Sequence, residues 1–242
     1  ASASLEEGVT FGWTTPIFFR RFLPANDTSL LTVRDSVLLW HEGLSSVWAS
    51  DTCAASPMSL NDRFYDEQRK RFEEGNPPLF ESAILRRWRD AWLSLTREYL
   101  DVSVGAEAAR ELFERELQLF VWAGVHRGCS HHPTHVHEDS AVSGTLYLEV
   151  PPGAGGIAFD DPRGMRPPFS RNRITHRPEP GQLILFPPWL AHGVLPSCEA
   201  ATASGAARVA LSFNVLRVPI QGQASQNDWE VLADSSLHVP IE

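Results

Sequence analysis

The hydrophobic positions of this chain follow two periods, and the change falls near residue 116. Before it, apolar residues recur every three or four positions. Val37, Trp40, Leu44 and Trp48 predict a helix over about 35–49, and Phe64, Gln68 and Phe72 mark one stripe of a charge-rich helix over 61–74. Gly75-Asn76-Pro77-Pro78 breaks that element. Ile84, Trp88, Trp92, Leu95 and Tyr99 then predict a long helix over about 80–100, followed by a short one over 106–115. The aromatic stripe is read as core, because an amphipathic helix must bury one face. Ahead of the helices, 11–24 reads as an aromatic strand closed by Pro24, with a turn at 26–29.

After residue 116 the period becomes two. The runs 117–125, 144–150, 156–160, 182–186 and 208–218 are short, apolar or alternating, and Gly/Pro clusters such as 151–156 separate them. Short strands between such turns predict an antiparallel sandwich or barrel. The expected fold class is α+β, an N-terminal helical layer buttressing a C-terminal jelly roll. The expected organisation is one domain over 1–242: a buttress with an N-terminal strand over 1–116, a jelly-roll core over 117–220, and a tail over 221–242.

Composition narrows the function classes. A chain of 242 residues can bury a sizeable core, and no apolar run is long enough to span a bilayer. With 30 acidic against 21 basic residues the formal charge is −9, which argues against general nucleic-acid binding. Cys53, Cys129 and Cys198 form no C-x-x-C pair, so free thiols in a reducing compartment are expected. The first residues carry neither a basic region nor an apolar leader, and no initiator Met, so a targeting segment could have been lost.

Histidine carries the chemistry. His126, His131, His132, His135 and His137 fall close together, with Cys129, Glu138 and Asp139 among them. A structural zinc would need four closed ligands, and no second Cys sits at finger-like spacing. His135 and His137, one residue apart, can present both imidazoles to one point. His192, held in the apolar turn that follows Phe186-Pro187-Pro188-Trp189-Leu190, can complete a set of three. Three protein ligands leave positions open, as a catalytic metal requires. His137-Glu138-Asp139 offers a second set: His137, Asp139 and His192. His131 and His132 precede Pro133, which favours an extended backbone, and are expected not to be ligands.

Arg208 begins a strand with clean alternation. Val209, Leu211, Phe213 and Val215 lie on one face; Arg208, Ala210, Ser212 and Asn214 lie on the other. The polar face either meets water or points inward, where the guanidinium fork can take a carboxylate bidentately. Arg163, Arg166, Arg171 and Arg173 make a basic insert, read either as a solvated loop or as a clamp for an acidic substrate.

Taken together, these motifs resemble the 2-oxoglutarate/Fe(II)-dependent oxygenase family of the double-stranded β-helix dioxygenase superfamily. The resemblance is carried by His135-Val136-His137, Ser143-Gly144-Thr145-Leu146-Tyr147, Asp161-Pro162-Arg163, the run 181–192 and the run 208–214; Thr15-Pro16-Ile17 is also similar. It covers about 117–218 and implies Fe(II) held by His135, His137 and His192. It further implies 2-oxoglutarate as cosubstrate, its distal carboxylate on Arg208 with Ser212 and Tyr147 as helpers, and O₂ as the second cosubstrate. The implied reaction oxidises, usually by hydroxylation, a C–H bond of a small-molecule or peptide substrate; no membrane partner is expected. Two positions depart from the pattern. The superfamily's H-x-D is H-x-H here, and a usual W-x-N is Trp122-Ala123-Gly124. A three-histidine cupin-type dioxygenase that ignores 2-oxoglutarate, and a jelly-roll binding module without iron, remain as rival readings. With three imidazoles as ligands, iron without cosubstrate is expected to be held more loosely below about pH 6.

Overall fold

Asp27 starts the first helix. Its carboxylate accepts from the backbone N–H groups of Ser29 (2.9 Å) and Leu30 (3.2 Å), satisfying two donors that the helix itself leaves open. The computed structural model describes residues 14–45, 59–74, 82–113, 117–128, 130–137, 140–164, 173–197 and 206–217. Within them α1 spans Thr28–Ser45, α2 Ser59–Glu73, α3 Ser82–Ser103 and α4 Ala106–Phe113. α1 therefore begins seven residues earlier than its periodicity suggested, because the Asp27 cap converts the expected turn into a helix start. Trp48 and all three cysteines lie outside the described residues.

The strands are β1 (Phe18–Arg21), β2 (Leu117–Arg127), β3 (His132–His135), β4 (Ser140–Glu149), β5 (Ile157–Asp160), β6 (Arg173–His176), β7 (Gln182–Phe186), β8 (His192–Val194) and β9 (Ala207–Arg217). They form a five-stranded sheet, β1-β7-β4-β9-β2, and a four-stranded sheet, β3-β8-β5-β6. Every pairing is antiparallel. Tyr147, Ile184, Phe186 and Ala210 of the larger sheet pack with Ile157 and Phe159 of the smaller one, so the two sheets face each other across a shared core. This is the expected jelly roll.

The outer face of the large sheet meets the helices. Val209, Leu211, Phe213 and Val215 of β9 join Leu30, Val33 and Val37 of α1 and Trp88 and Trp92 of α3 in one buried cluster. Trp92 stacks on Phe213 with centroids 4.7 Å apart and planes 6° from parallel. The aromatic stripe of α3 is thus core. β2 is one of the sheet's two edge strands, and α2 caps it: the Gln68 amide donates to Ala123 O (2.9 Å) and accepts from Ala123 N–H (2.6 Å).

Two glycines fix this frame. Gly144 sits opposite Phe213, and a Cβ there would lie 2.3 Å from the Phe213 ring, so a side chain would push out the residue that Trp92 stacks on. Gly181, with φ 79°, accepts through its carbonyl from Phe22 N–H and Leu23 N–H and turns the chain where β1 leaves the sheet. That departure explains why β1 is four residues rather than the strand expected over 11–24, of which 11–13 lie outside the described residues.

Candidate metal centre

The site forms at one end of the sandwich. His135 ends β3 and His192 begins β8, and the two are direct partners in the antiparallel register. The chain then leaves β3, and His137 N–H donates to Pro188 O (2.9 Å), which fastens the second histidine to the Pro-rich turn before His192. The ligand-capable atoms of His135, His137 and His192 all lie within 4.8 Å of one another. His135, His137 and His192 are therefore brought together as the first of the two sequence readings required. Asp139, the acid of the second, lies outside the described residues. His132 stacks edge-on against His135, with centroids 4.3 Å apart, but is not in the three-histidine group.

Hydrogen bonds orient two of the rings. His135 Nδ1–H donates to Pro133 O (2.9 Å), and His192 Nδ1–H donates to Leu190 O (2.8 Å). Each ring then carries its lone pair on Nε2, the form in which imidazole binds a metal. Phe186, 4.5 Å from the His192 ring between centroids, and Phe159 shield the site on one side. Burial, reinforced by neighbouring histidines, pushes His137 down to about 3 and His192 down to about 4; His135 is also lowered, chiefly by burial. The free imidazoles thus stay neutral well below their ordinary value.

The inward face of the large sheet continues the site. Arg208 is 3% exposed. Its Nη1 donates to Gly155 O (2.7 Å) and reaches Gly156 O (3.4 Å), while its buried Nε has no partner. No carboxylate pairs with Arg208 among the described residues, although a buried guanidinium without an anion is costly. Tyr147 lies beside it, with the guanidinium carbon 5.9 Å from the ring centroid; burial pushes the phenol up to about 12, against the pull of Arg208. Ser212 is half-buried, its hydroxyl 3.4 Å from that of Thr145. All three sequence-predicted cosubstrate residues therefore share the inner face.

Other side chains in the site were not expected from the sequence. Asn214 Nδ2 lies 3.3 Å from His137 Nδ1, and Ser143 Oγ–H donates to Asn214 Oδ1 (2.9 Å). Trp122 of β2 tilts against His137 at 5.8 Å and stacks on Phe120 at 5.1 Å. In the sequence Trp122 stands out only as part of the departure from W-x-N, and its alternation along β2 is the signal for an inward position. The basic insert contributes two ion pairs at its ends, Arg163 with Asp161 (2.7 Å) and Arg173 with Asp160 (2.6 Å); Arg166 and Arg171 lie outside the described residues.

A comparison with known sequence families gives one match, and it spans the site. Residues 120–214 match the family described as "Putative 2OG-Fe(II) oxygenase". The matched span runs from β2 to β9 and contains all six of the metal and cosubstrate residues expected from the sequence. Among solved structures, a prolyl-4-hydroxylase from Pseudomonas putida is 18% identical over 85% of this chain and 90% of its own, with a TM-score of 0.45. HygX from Streptomyces hygroscopicus, crystallised with nickel and 2-oxoglutarate, is 12% identical over 84% of this chain and 83% of its own, with a TM-score of 0.44. Vicilin from hazelnut, Corylus avellana, is 18% identical over 40% of this chain and 24% of its own, with a TM-score of 0.30. No curated protein sequence matches the chain. None of the helices among the described residues is long and apolar enough to cross a membrane.

Proposed function

We propose that this chain is a 2OG-Fe(II) oxygenase in which His135, His137 and His192 hold the Fe(II) and Arg208 anchors 2-oxoglutarate by its distal carboxylate. The observation that carries this reading is the buried Arg208 guanidinium, whose hydrogen-bond partners among the described residues are neutral carbonyls only, with no partner there for its Nε. One carboxylate of a dianionic keto acid would supply the charge partner for Arg208, and the other would offset one of the two positive charges of an Fe(II) held by three neutral imidazoles. When bound, the iron and its cosubstrate supply the oxidising chemistry: 2-oxoglutarate and O₂ yield succinate and CO₂ while one oxygen atom enters a substrate C–H bond.

The chain's own side chains bind, orient and exclude water. Arg208 fixes the far end of the keto acid, with the Tyr147 face against its guanidinium and the Ser212 and Thr145 hydroxyls further along the same inner face. Phe159, Phe186 and Leu190 pack with Tyr147 between the sheets and shield the His192 side from water. We assign the substrate to the side of His137 that Trp122 walls, so a small molecule presenting an apolar face to the indole fits best, with hydroxylation the expected outcome.

The three-histidine set also suits a cupin-type dioxygenase that uses no keto acid, and Arg208 decides between the two readings. An anaerobic titration tests it. Fe(II) followed by 2-oxoglutarate should produce the metal-to-ligand charge-transfer band of the chelate, and Arg208→Ala should abolish it while Fe(II) binding persists. Fe(II) binding with no response to 2-oxoglutarate would favour the cupin reading.

A further inference from the structure

His135 and His192 each give Nδ1–H to a backbone carbonyl; His137 does not. Its Nδ1 faces the side-chain amide of Asn214, and its Nε2 lies 3.3 Å from His192 Nε2. These contacts allow one consistent placement of the protons. His192 has spent its only N–H on Leu190 O, so its Nε2 can only accept, and the proton between the two rings belongs to His137 Nε2. His137 Nδ1 is then a lone pair, which accepts from Asn214 Nδ2–H, while Asn214 Oδ1 accepts from Ser143 Oγ–H. The network is self-consistent, but it occupies the His137 nitrogen that a metal would need.

We propose that Asn214, backed by Ser143, sets the tautomer of His137 and so decides whether that ring can serve as a ligand. The inference rests on the assignment of His137 to the metal centre. For Nε2 to bind a metal, the proton must sit on Nδ1 and be accepted, and the group facing Nδ1 is the Asn214 amide. A half-turn of that amide presents Oδ1 to Nδ1–H and Nδ2 to Ser143 Oγ. A hydroxyl can accept as readily as it donates, so Ser143 satisfies both orientations without moving. Asn214 and Ser143 are direct partners in the β4–β9 register and are 8% and 1% exposed, so water does not stand in for either. The pair thus does for His137, through a reversible amide, what fixed carbonyls do for the other two rings. Asn214 is a positioning residue, acting through His137 rather than on substrate.

The test separates an acceptor from a spacer. In the full chain under anaerobic conditions, Fe(II) affinity is measured by competition with a chromophoric chelator. Asn214→Leu, which removes donor and acceptor, should weaken binding by roughly ten- to a hundred-fold while the thermal transition stays cooperative. Asn214→Asp keeps an acceptor for both Nδ1–H and Ser143 Oγ–H but loses the donor that favours the other tautomer, so it should bind Fe(II) at least as tightly as the unmodified protein. A purely structural role weakens both variants alike, and that result overturns the proposal, as does a folded Asn214→Leu with unchanged affinity. Should Asn214→Leu not fold, Asn214→Asp carries the affinity test alone, and weaker binding overturns the proposal. Long-range ¹⁵N–¹H spectra give a second readout. His137 should carry its proton on Nε2 without metal and on Nδ1 with Zn(II); the same tautomer in both states overturns the proposal. His192→Ala is the control for the underlying assignment. If it leaves metal affinity unchanged, the three-histidine centre itself is wrong; if it abolishes binding while Asn214→Leu does not, only the positioning role fails.

Discussion

Strand β9 has two faces made of the same eleven residues, and they follow opposite rules. Outward, Val209, Leu211, Phe213 and Val215 are fully buried and apolar, pressed against α1 and α3. Inward, Arg208, Ala210, Ser212 and Asn214 carry a cation without an anion, a hydroxyl and an amide aimed at a histidine. The first face is satisfied within the chain and makes the sheet stable. The second is left incomplete at Arg208, and its remaining valence suits a ligand. Stability and function are thus separated by one side-chain alternation, which allows each to be disturbed alone.

The largest effect should come from the outer face. Phe213→Ala removes the ring that stacks on Trp92 and opens a cavity in the main core, at a cost of about 3–5 kcal/mol. Denaturant melts should show the loss, while metal content per folded molecule stays stoichiometric. On the inner face the sign should reverse. Arg208→Met replaces a buried, unpaired cation with an apolar side chain of similar length, so the metal-free protein should be as stable as before or more so. Its 2-oxoglutarate binding should fall by about 2–5 kcal/mol, the usual cost of truncating one partner of a buried charge pair. Loss of stability in Arg208→Met, read by the same melts, would show that the guanidinium has a structural partner and that the two faces are not separate.

The helical side has an exception of its own. His41 is 2% exposed, neither ring nitrogen has a hydrogen-bond partner, and burial with the nearby Arg127 charge pushes its pKa down to about 4. Above pH 6.5 the ring is neutral in both folded and unfolded chains, and full stability is present. Below that the unfolded chain takes up a proton first, so stability falls as pH drops and levels off below about 4. The span corresponds to at most about 3 kcal/mol. The metal-site histidines add to the same acid slope, so the informative quantity is a difference: His41→Leu should flatten the fall between pH 7 and 5, measured by urea melts at each pH. An unchanged slope would mean that His41 finds a partner when it protonates.

Much of this architecture was legible in the sequence because it is periodic. The α3 stripe and the alternation of β9 place residues on faces without any knowledge of what those faces meet. β3, β6 and β8 were not legible. They are three or four residues long, and His132-Pro133-Thr134-His135 and His192-Gly193-Val194 offer no apolar alternation to read. Yet β3 and β8 bring His135 and His192 together, so the histidines were found by their chemistry and not by their strands. Asn214 and Ser143 stood within the recognised motifs, but their shared task depends on β4 pairing with β9 in one particular register. A side chain that acts on another side chain across a sheet leaves no trace in spacing along one strand.

The smallest effect tests where the centre ends. His132 is near enough to His135 for ring contact, and burial together with His135 pushes its pKa down to about 4, as it does for His192. By composition and titration it resembles a ligand. Geometry says otherwise: it sits at the far end of β3, paired with Val194 rather than with His192, and is not part of the converging set. Gly193 lets β8 approach β3 closely beside His132, since a Cβ there would come within 2.9 Å of His132 O. His132→Asn should therefore leave metal content stoichiometric by elemental analysis and change affinity less than about three-fold, a difference of under 1 kcal/mol. Loss of metal comparable to that in His192→Ala would move the centre toward the start of β3 and remove the boundary drawn here between ligand and neighbour.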